Sequence, residues 1–238
     1  MAPKLFIAGD STAAAKDPSQ KPMAGWGEYL GRFLKPPLVI DNRAVNGRST
    51  KSFLDEGRWA AIEQDLRAGD AVLIQFGHND EKKEDPLRYT DPDTEYRSNL
   101  RHFIVSTRNR GATPVLLTSV SRRRFTADGL PDPLAVGPYP AAMREVAAAT
   151  GTPLLDIFAA SQLLYRDLGP EASTTLFLHL PANQHPNYPE GVADDTHFSE
   201  EGARQIAKLV ADAIACSDSL SSFHRYCVGL DHVGDLEG

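Results

Sequence analysis

Four short blocks of this 238-residue chain carry side chains that together could perform acyl transfer. They are Gly9-Asp10-Ser11-Thr12, Asn46-Gly47-Arg48-Ser49, Gly77-His78-Asn79-Asp80 and Asp194-Asp195-Thr196-His197. A serine hydroxyl is a weak nucleophile at its free pKa and needs a base to take its proton during attack. Histidine does this near neutral pH. A carboxylate beside it selects the tautomer and stabilises the imidazolium that forms. The tetrahedral oxyanion needs preorganised donors, and losing one costs roughly 2.7–4 kcal/mol in enzymes of this chemistry. Ser11, His197 and either Asp194 or Asp195 could fill the first three roles. The backbone amides of Ser11 and Gly47 and the side-chain amide of Asn79 are the candidate oxyanion donors. Each block alone has a plainer reading: Gly-Asp-Ser favours turns, Asn79 suits an Asx-turn, and acids before a helix complement its dipole. It is their coincidence that argues for chemistry.

These groups need a scaffold that brings residues 11, 47, 79 and 197 to one edge. Residues 4–8 are a short apolar run ending at Gly-Asp-Ser, and residues 38–40, 71–76, 114–118 and 153–157 read as four further strands. The near-continuous apolar run at 71–76 is that of a parallel strand covered on both faces. Helices are expected at 26–34, at 52–66 with a break at Gly57, around 96–107, and at 140–150, 159–168 and 200–215. Tyr96, Leu100, Phe103, Ile104 and Thr107 form one helical face, with Gly111 placed as a C-cap. Ser199 is the expected N-cap of the last helix. Five strands alternating with helices imply a three-layer α/β/α sandwich around a five-stranded parallel sheet. Reacting groups in such folds collect at the carboxyl ends of the strands, where the first three blocks fall. Residues 174–196, rich in Pro, Asn and His, read as a long functional loop. No repeat or linker interrupts the chain, so residues 1–238 are read as one domain.

The four blocks, in this order and at these separations, resemble those of SGNH (GDSL-like) hydrolases. Within that group Gly9-Asp10-Ser11-Thr12, the stretch from Gly47 to Phe53 and the stretch from Asp194 to Ser199 most resemble rhamnogalacturonan acetylesterases. The resemblance implies a flavodoxin-like fold and no metal or other cofactor. It implies Ser11 as nucleophile, Asp194 and His197 as its partners, and Ser11, Gly47 and Asn79 as the oxyanion hole. It selects Asp194 over Asp195 by spacing. The implied activity is removal of acetyl groups from pectic rhamnogalacturonan, an acidic sugar polymer, through an acetyl-enzyme at Ser11. Another acetylated sugar such as xylan, or a lipid or thioester, is the alternative within the fold.

Composition bounds the rest. With 41% hydrophobic and 24% charged residues the chain is globular in type. No run approaches the ~20 apolar residues of a membrane-spanning helix, and a net charge of −7 argues against a nucleic-acid partner. The four apolar residues after Lys4 are too few for a secretory signal, so a cytoplasmic setting is expected, or a secreted one if a leader was removed. Cys216 and Cys227 allow at most one disulfide. Candidate substrate contacts are His185, Arg122 and Trp26, with His179 on the same loop as His185, and with Tyr188 and Phe198 beside Trp26 as candidate sugar-stacking rings. Arg122-Arg123-Arg124 reads otherwise as a solvated loop, His78 as a residue without chemistry, and His102, His224 and His232 as structural or solvated. The rival from another class is a metal-dependent phosphoesterase using Asp10, His78, Asn79, Asp80 and His197. The order His78-Asn79 and the lack of a later Gly-His-x-His weigh against it. A binding module without catalysis would have no need of the serine, histidine, aspartate and asparagine set.

Overall fold

The computed structural model describes residues 2–228, so His232 lies outside the described residues. Five strands, β1 (Lys4–Gly9), β2 (Val39–Asn42), β3 (Ala71–Gln75), β4 (Thr113–Leu117) and β5 (Leu154–Leu155), form one parallel sheet in the order β2-β1-β3-β4-β5. β1 and β3 are buried almost throughout, which is why their sequences are continuous apolar runs rather than alternating ones. Alternation survives as a division between two cores. Leu5, Ile7, Leu73, Val115 and Leu117 point to one face. Phe6, Ala8, Val72, Ile74 and Leu116 point to the other.

The second face is covered by α1 (Thr50–Asp55), α2 (Arg58–Asp65), α3 (Glu95–Asn109) and α4 (Tyr139–Thr150). The first face is covered by α5 (Ile157–Ala172) and α6 (Glu200–Ala215), with a short α7 (Ser221–His224) behind them. The three-layer α/β/α sandwich expected from the sequence is therefore present. Gly57, at φ +69°, separates α1 from α2, and Gly151, at φ +57°, closes α4. Ser199 caps α6 by accepting the Gly202 amide at 3.1 Å.

Three expectations need correction. Residues 26–34 form two short 3-10 turns, Trp26–Glu28 and Leu30–Arg32, and not one helix. Gly25 and Gly27 here pack against the backbone of Ala13 and Ala14, closer than a Cβ would allow. The last parallel strand is only two residues long, because Ile157 already begins α5 with Asp156 as its cap. Residues 174–196 are not an irregular loop. They contain β6 (Phe177–Leu180) and most of β7 (Val192–Phe198), an antiparallel ribbon joined by residues 181–191.

The chain turns from β1 to β2 on one side and then crosses to β3 on the other, so the sheet order reverses between β1 and β3. Such a reversal leaves a crevice beyond the carboxyl ends of the two strands. Ser11 follows β1 and Asn79 follows β3 at this crevice.

Candidate active site

A cleft of about 270 Å³ opens on this rim. Ser11, Gly47, Asn79 and His197 line it, together with Gln20, Met23, Asn46, Lys82 and Arg88. Ser11 Oγ lies 2.9 Å from His197 Nε2. On the far side of the ring, His197 Nδ1 lies 2.7 Å from Asp194 Oδ2.

The ribbon explains how Asp194 and His197 come together. Leu178 pairs with Asp194 and Phe177 with Phe198, so β7 carries three more residues than β6 between these pairs. Residues 195–197 therefore bulge out of the ladder. Within the bulge Asp194 Oδ1 accepts the amides of Thr196 at 2.7 Å and His197 at 2.9 Å. A bulge of this kind re-aims side chains that a regular strand would send to alternate faces. Asp195 points away, 2.8 Å from Arg123 Nη1 and 2.8 Å from His179 Nε2. Burial raises the Asp194 pKa, but the bonds and charge from His197 and the Thr196 amide outweigh it and bring the carboxyl down to about 2. Asp194 is thus an anion at any working pH.

Buried carboxylates stitch the other blocks together. Asp10 Oδ1 accepts the Thr12 amide at 2.9 Å and the Thr12 hydroxyl at 2.8 Å, and its Oδ2 lies 3.2 Å from His78 Nδ1. Burial opposes ionisation of Asp10, yet His78 and Thr12 hold its pKa below the ordinary value. His78, expected to be idle, therefore ties the first block to the third. Asp80 Oδ1 accepts from the Thr50 amide at 3.0 Å, the Thr50 hydroxyl at 2.6 Å and the Thr90 hydroxyl at 2.8 Å, which anchors α1 and the second block. Burial dominates here and raises the Asp80 pKa to about 7, against the pull of those bonds. Its Oδ2, like His78 Nε2, is buried without a partner among the described residues.

The orientation of Asn79 is determined by two neighbours. Its Nδ2 donates to the Arg48 carbonyl at 3.1 Å, while its Oδ1 accepts from Arg88 Nη1 at 3.3 Å. A primary amide has two N–H groups, so one remains for the cleft. Gly47, at φ +75°, sits where a Cβ would lie 3.8 Å from Arg88 Nη1.

Sequence reasoning missed Gln20, Met23, Lys82 and Arg88 in the cleft, and the network that supports its wall. Lys16 is buried and donates to the Ser11 carbonyl and, at 2.7 Å, to Asn46 Oδ1. Burial lowers its pKa to about 8, against the attraction of Asp10 and Glu28. Asn46 Nδ2 in turn donates to Gln20 Oε1 at 3.2 Å. Residues 18–21 are clasped from the ribbon: Asn187 Nδ2 donates to the carbonyls of Pro18 and Lys21, each at 2.8 Å, and the Tyr188 hydroxyl to that of Gln20 at 2.8 Å. None of these contacts has a local sequence signature.

The expected substrate contacts fare differently. Trp26 is fully buried and donates from Nε1 to Gln75 Oε1 at 2.9 Å, so it belongs to the core and cannot stack on a sugar. Phe198 is likewise buried. Arg122 is a strut that does not line the cleft: it pairs with Glu81 at 2.5 Å and donates to the Ala135 carbonyl at 3.0 Å and to Thr196 Oγ1 at 3.2 Å. Arg123 and Arg124 are similarly engaged, with Asp195 and Asp132, so the run is not a freely solvated loop. His185 accepts the Asn187 amide at 3.2 Å within the ribbon's connecting loop and is outside the cleft. His102 is exposed on α3, and His224 lies against the Ser217 carbonyl. Cys216 and Cys227 are both free thiols. No three His, Cys, Asp or Glu residues converge as metal donors among the described residues: of the set weighed for a phosphoesterase, Asp10 and His78 meet, while His197 is turned to Ser11 and Asp194.

A parallel sheet reversing at β1/β3, with this polar cleft at its rim, is the doubly wound α/β/α architecture that binds ligands beyond its strand ends, and the serine, histidine and aspartate in contact there are the groups of a carboxylic ester hydrolase. Residues 7–205 match the GDSL-like lipase/acylhydrolase family, and the chain belongs to it. It is 44% identical to the rhamnogalacturonan acetylesterase RhgT of Bacillus subtilis over 89% of both chains. It is 36% identical to YesY of the same organism, named a probable rhamnogalacturonan acetylesterase, over 90% of this chain and 93% of that one. Among solved structures, YxiM of Bacillus subtilis superposes with a TM-score of 0.78 at 24% identity, covering 90% of this chain and 56% of that longer one. The acetylxylan esterase Axe2 of Geobacillus stearothermophilus superposes with a TM-score of 0.64 at 19% identity, over 90% and 95% of the two chains. At those identities the two structures speak for the fold alone.

Proposed function

We propose that the protein is a carbohydrate O-acetylesterase that deacetylates rhamnogalacturonan or its oligosaccharides, with Ser11 as nucleophile. The observation that carries the mechanism is the continuous contact from Ser11 Oγ through His197 to Asp194, at 2.9 and 2.7 Å. The substrate follows from the relatives, which are named for that polymer.

His197 Nε2 takes the Ser11 proton as Oγ attacks the acetyl carbonyl. Asp194, ionised, keeps the proton of His197 on Nδ1 and stabilises the imidazolium. The oxyanion develops between the amides of Ser11 and Gly47 and the free N–H of Asn79. His197 then protonates the departing sugar hydroxyl, leaving an acetyl-enzyme, and activates the water that releases acetate. No step draws on a cofactor.

The cleft supports a short acyl group. At about 270 Å³ it falls just below the ~300–1,000 Å³ of drug-sized ligand sites. Of its lining residues only Met23 is a large apolar one, which suits an acetyl on a sugar better than a lipid tail. The two free thiols fit the expected cytoplasmic setting.

The test is acetate release from acetylated rhamnogalacturonan fragments, with EDTA present, by wild type and Ser11→Ala. Wild type is expected to be active and the variant to lose at least about a thousandfold in kcat. Undiminished activity in Ser11→Ala would overturn the mechanism. A wild type that hydrolyses aryl acetates but not pectic fragments would overturn the substrate.

A further inference from the structure

Among the described residues two cations, Lys82 and Arg88, line the cleft, and no carboxylate does. The protein carries a net charge of −7, so at long range it repels a polyanion, and a local positive wall is needed to receive one. Lys82 is half-buried, and its ammonium has no hydrogen bond or ion pair among the described residues. Arg88 is committed only in part. Its Nε donates to Asp85 at 2.5 Å and Nη1 to Asn79, which leaves Nη2 without an acceptor among the described residues. The Arg88 guanidinium also stands over Gly47, so it adjoins the place where the acetyl group would react. A partly desolvated ammonium beside a guanidinium with a spare edge can donate to both oxygens of a planar anion, and such charge-assisted hydrogen bonds are the strong ones.

We propose that Lys82 and Arg88 form a carboxylate-binding arm of the cleft that seats the uronate carboxylate of the acetylated sugar. The inference rests on the reading of the chain as a rhamnogalacturonan acetylesterase, whose polymer carries galacturonic acid. It adds the residues that would separate that substrate from a neutral acetylated glycan. Arg88 also holds Asn79, so Lys82 is the cleaner probe.

The experiment is competitive inhibition of aryl acetate hydrolysis by unacetylated digalacturonate, by its methyl ester and by inorganic phosphate. Because the readout is an aryl acetate, it stands or falls separately from deacetylation of pectic fragments. Digalacturonate is expected to inhibit wild type with a Ki about tenfold below that of its methyl ester, the worth of one charge-assisted contact. Lys82→Gln should close most of that gap, and Lys82→Arg should keep it. Equal Ki values for acid and ester in wild type would overturn the proposal. So would an undiminished gap in Lys82→Gln, or phosphate inhibiting as well as digalacturonate, which would indicate unspecific anion attraction.

Discussion

Asp194 grips His197 twice: one carboxylate oxygen accepts the backbone amide of His197 at 2.9 Å, and the other lies 2.7 Å from ring Nδ1. The imidazole is therefore held in position and in tautomer by a single side chain three residues away, inside the β7 bulge.

Asp194→Asn keeps an acceptor for the His197 amide but loses the charge and the control of the ring tautomer, and should lower kcat by about 10⁴-fold, as loss of the orienting carboxylate does in serine hydrolases. Asp195→Asn touches only Arg123 and His179 and should leave kcat within a few-fold. Steady-state kinetics of the pair check this. The low Asp194 pKa also has a stability consequence. A carboxyl depressed to about 2 stabilises the native state above its ordinary pKa, and that contribution disappears as pH falls through the folded value. The thermal stability gap between wild type and Asp194→Asn should accordingly narrow as pH drops from about 4 towards 2.

Asn79→Ala should lower kcat about 10²–10³-fold with little change in KM, the usual effect of losing one oxyanion donor. Gly47→Ala should act more mildly. Its methyl group has space, but φ +75° strains any L side chain, by about 1–2 kcal/mol. Melting temperature and kcat measured together separate strain from catalysis.

Asp80 predicts an inverted pH dependence of stability. Its folded pKa is raised to about 7 from an ordinary 3.8. Between these values the native state holds a proton that the unfolded chain has released, so stability falls as pH rises across the interval and levels off above it. Asp80→Asn keeps an acceptor for Thr50 and Thr90 and carries no charge. It should gain stability relative to wild type between pH 5 and 8, by on the order of a few kcal/mol, seen as a pH-dependent difference in melting temperature.

The sequence alone determined the strand–helix alternation and held the residues we propose for the chemistry. Apolar runs such as 71–76 are continuous because both faces of the sheet are covered, and that demand is local enough to read in a string of letters. Ser11, Asn79 and His197 were legible because a hydroxyl, an amide and an imidazole at strand ends and before a helix have few other reasons to coincide.

What the tertiary structure decided were features that depend on long-range pairing. The bulge that turns Asp194 towards His197, and Asp195 away, exists only because β7 pairs with β6 across residues 181–191. Trp26 reads as an aromatic near the site, but Gln75, 49 positions away, satisfies its indole and draws it into the core. Arg122 looks like a free cation until Glu81 is placed beside it. Lys82 and Arg88 look like ordinary surface charges, and only the folded crevice sets them beside Asn79 and Gly47. Residue type and periodicity are written along the chain, whereas which charges find partners is settled by contacts between segments distant in sequence.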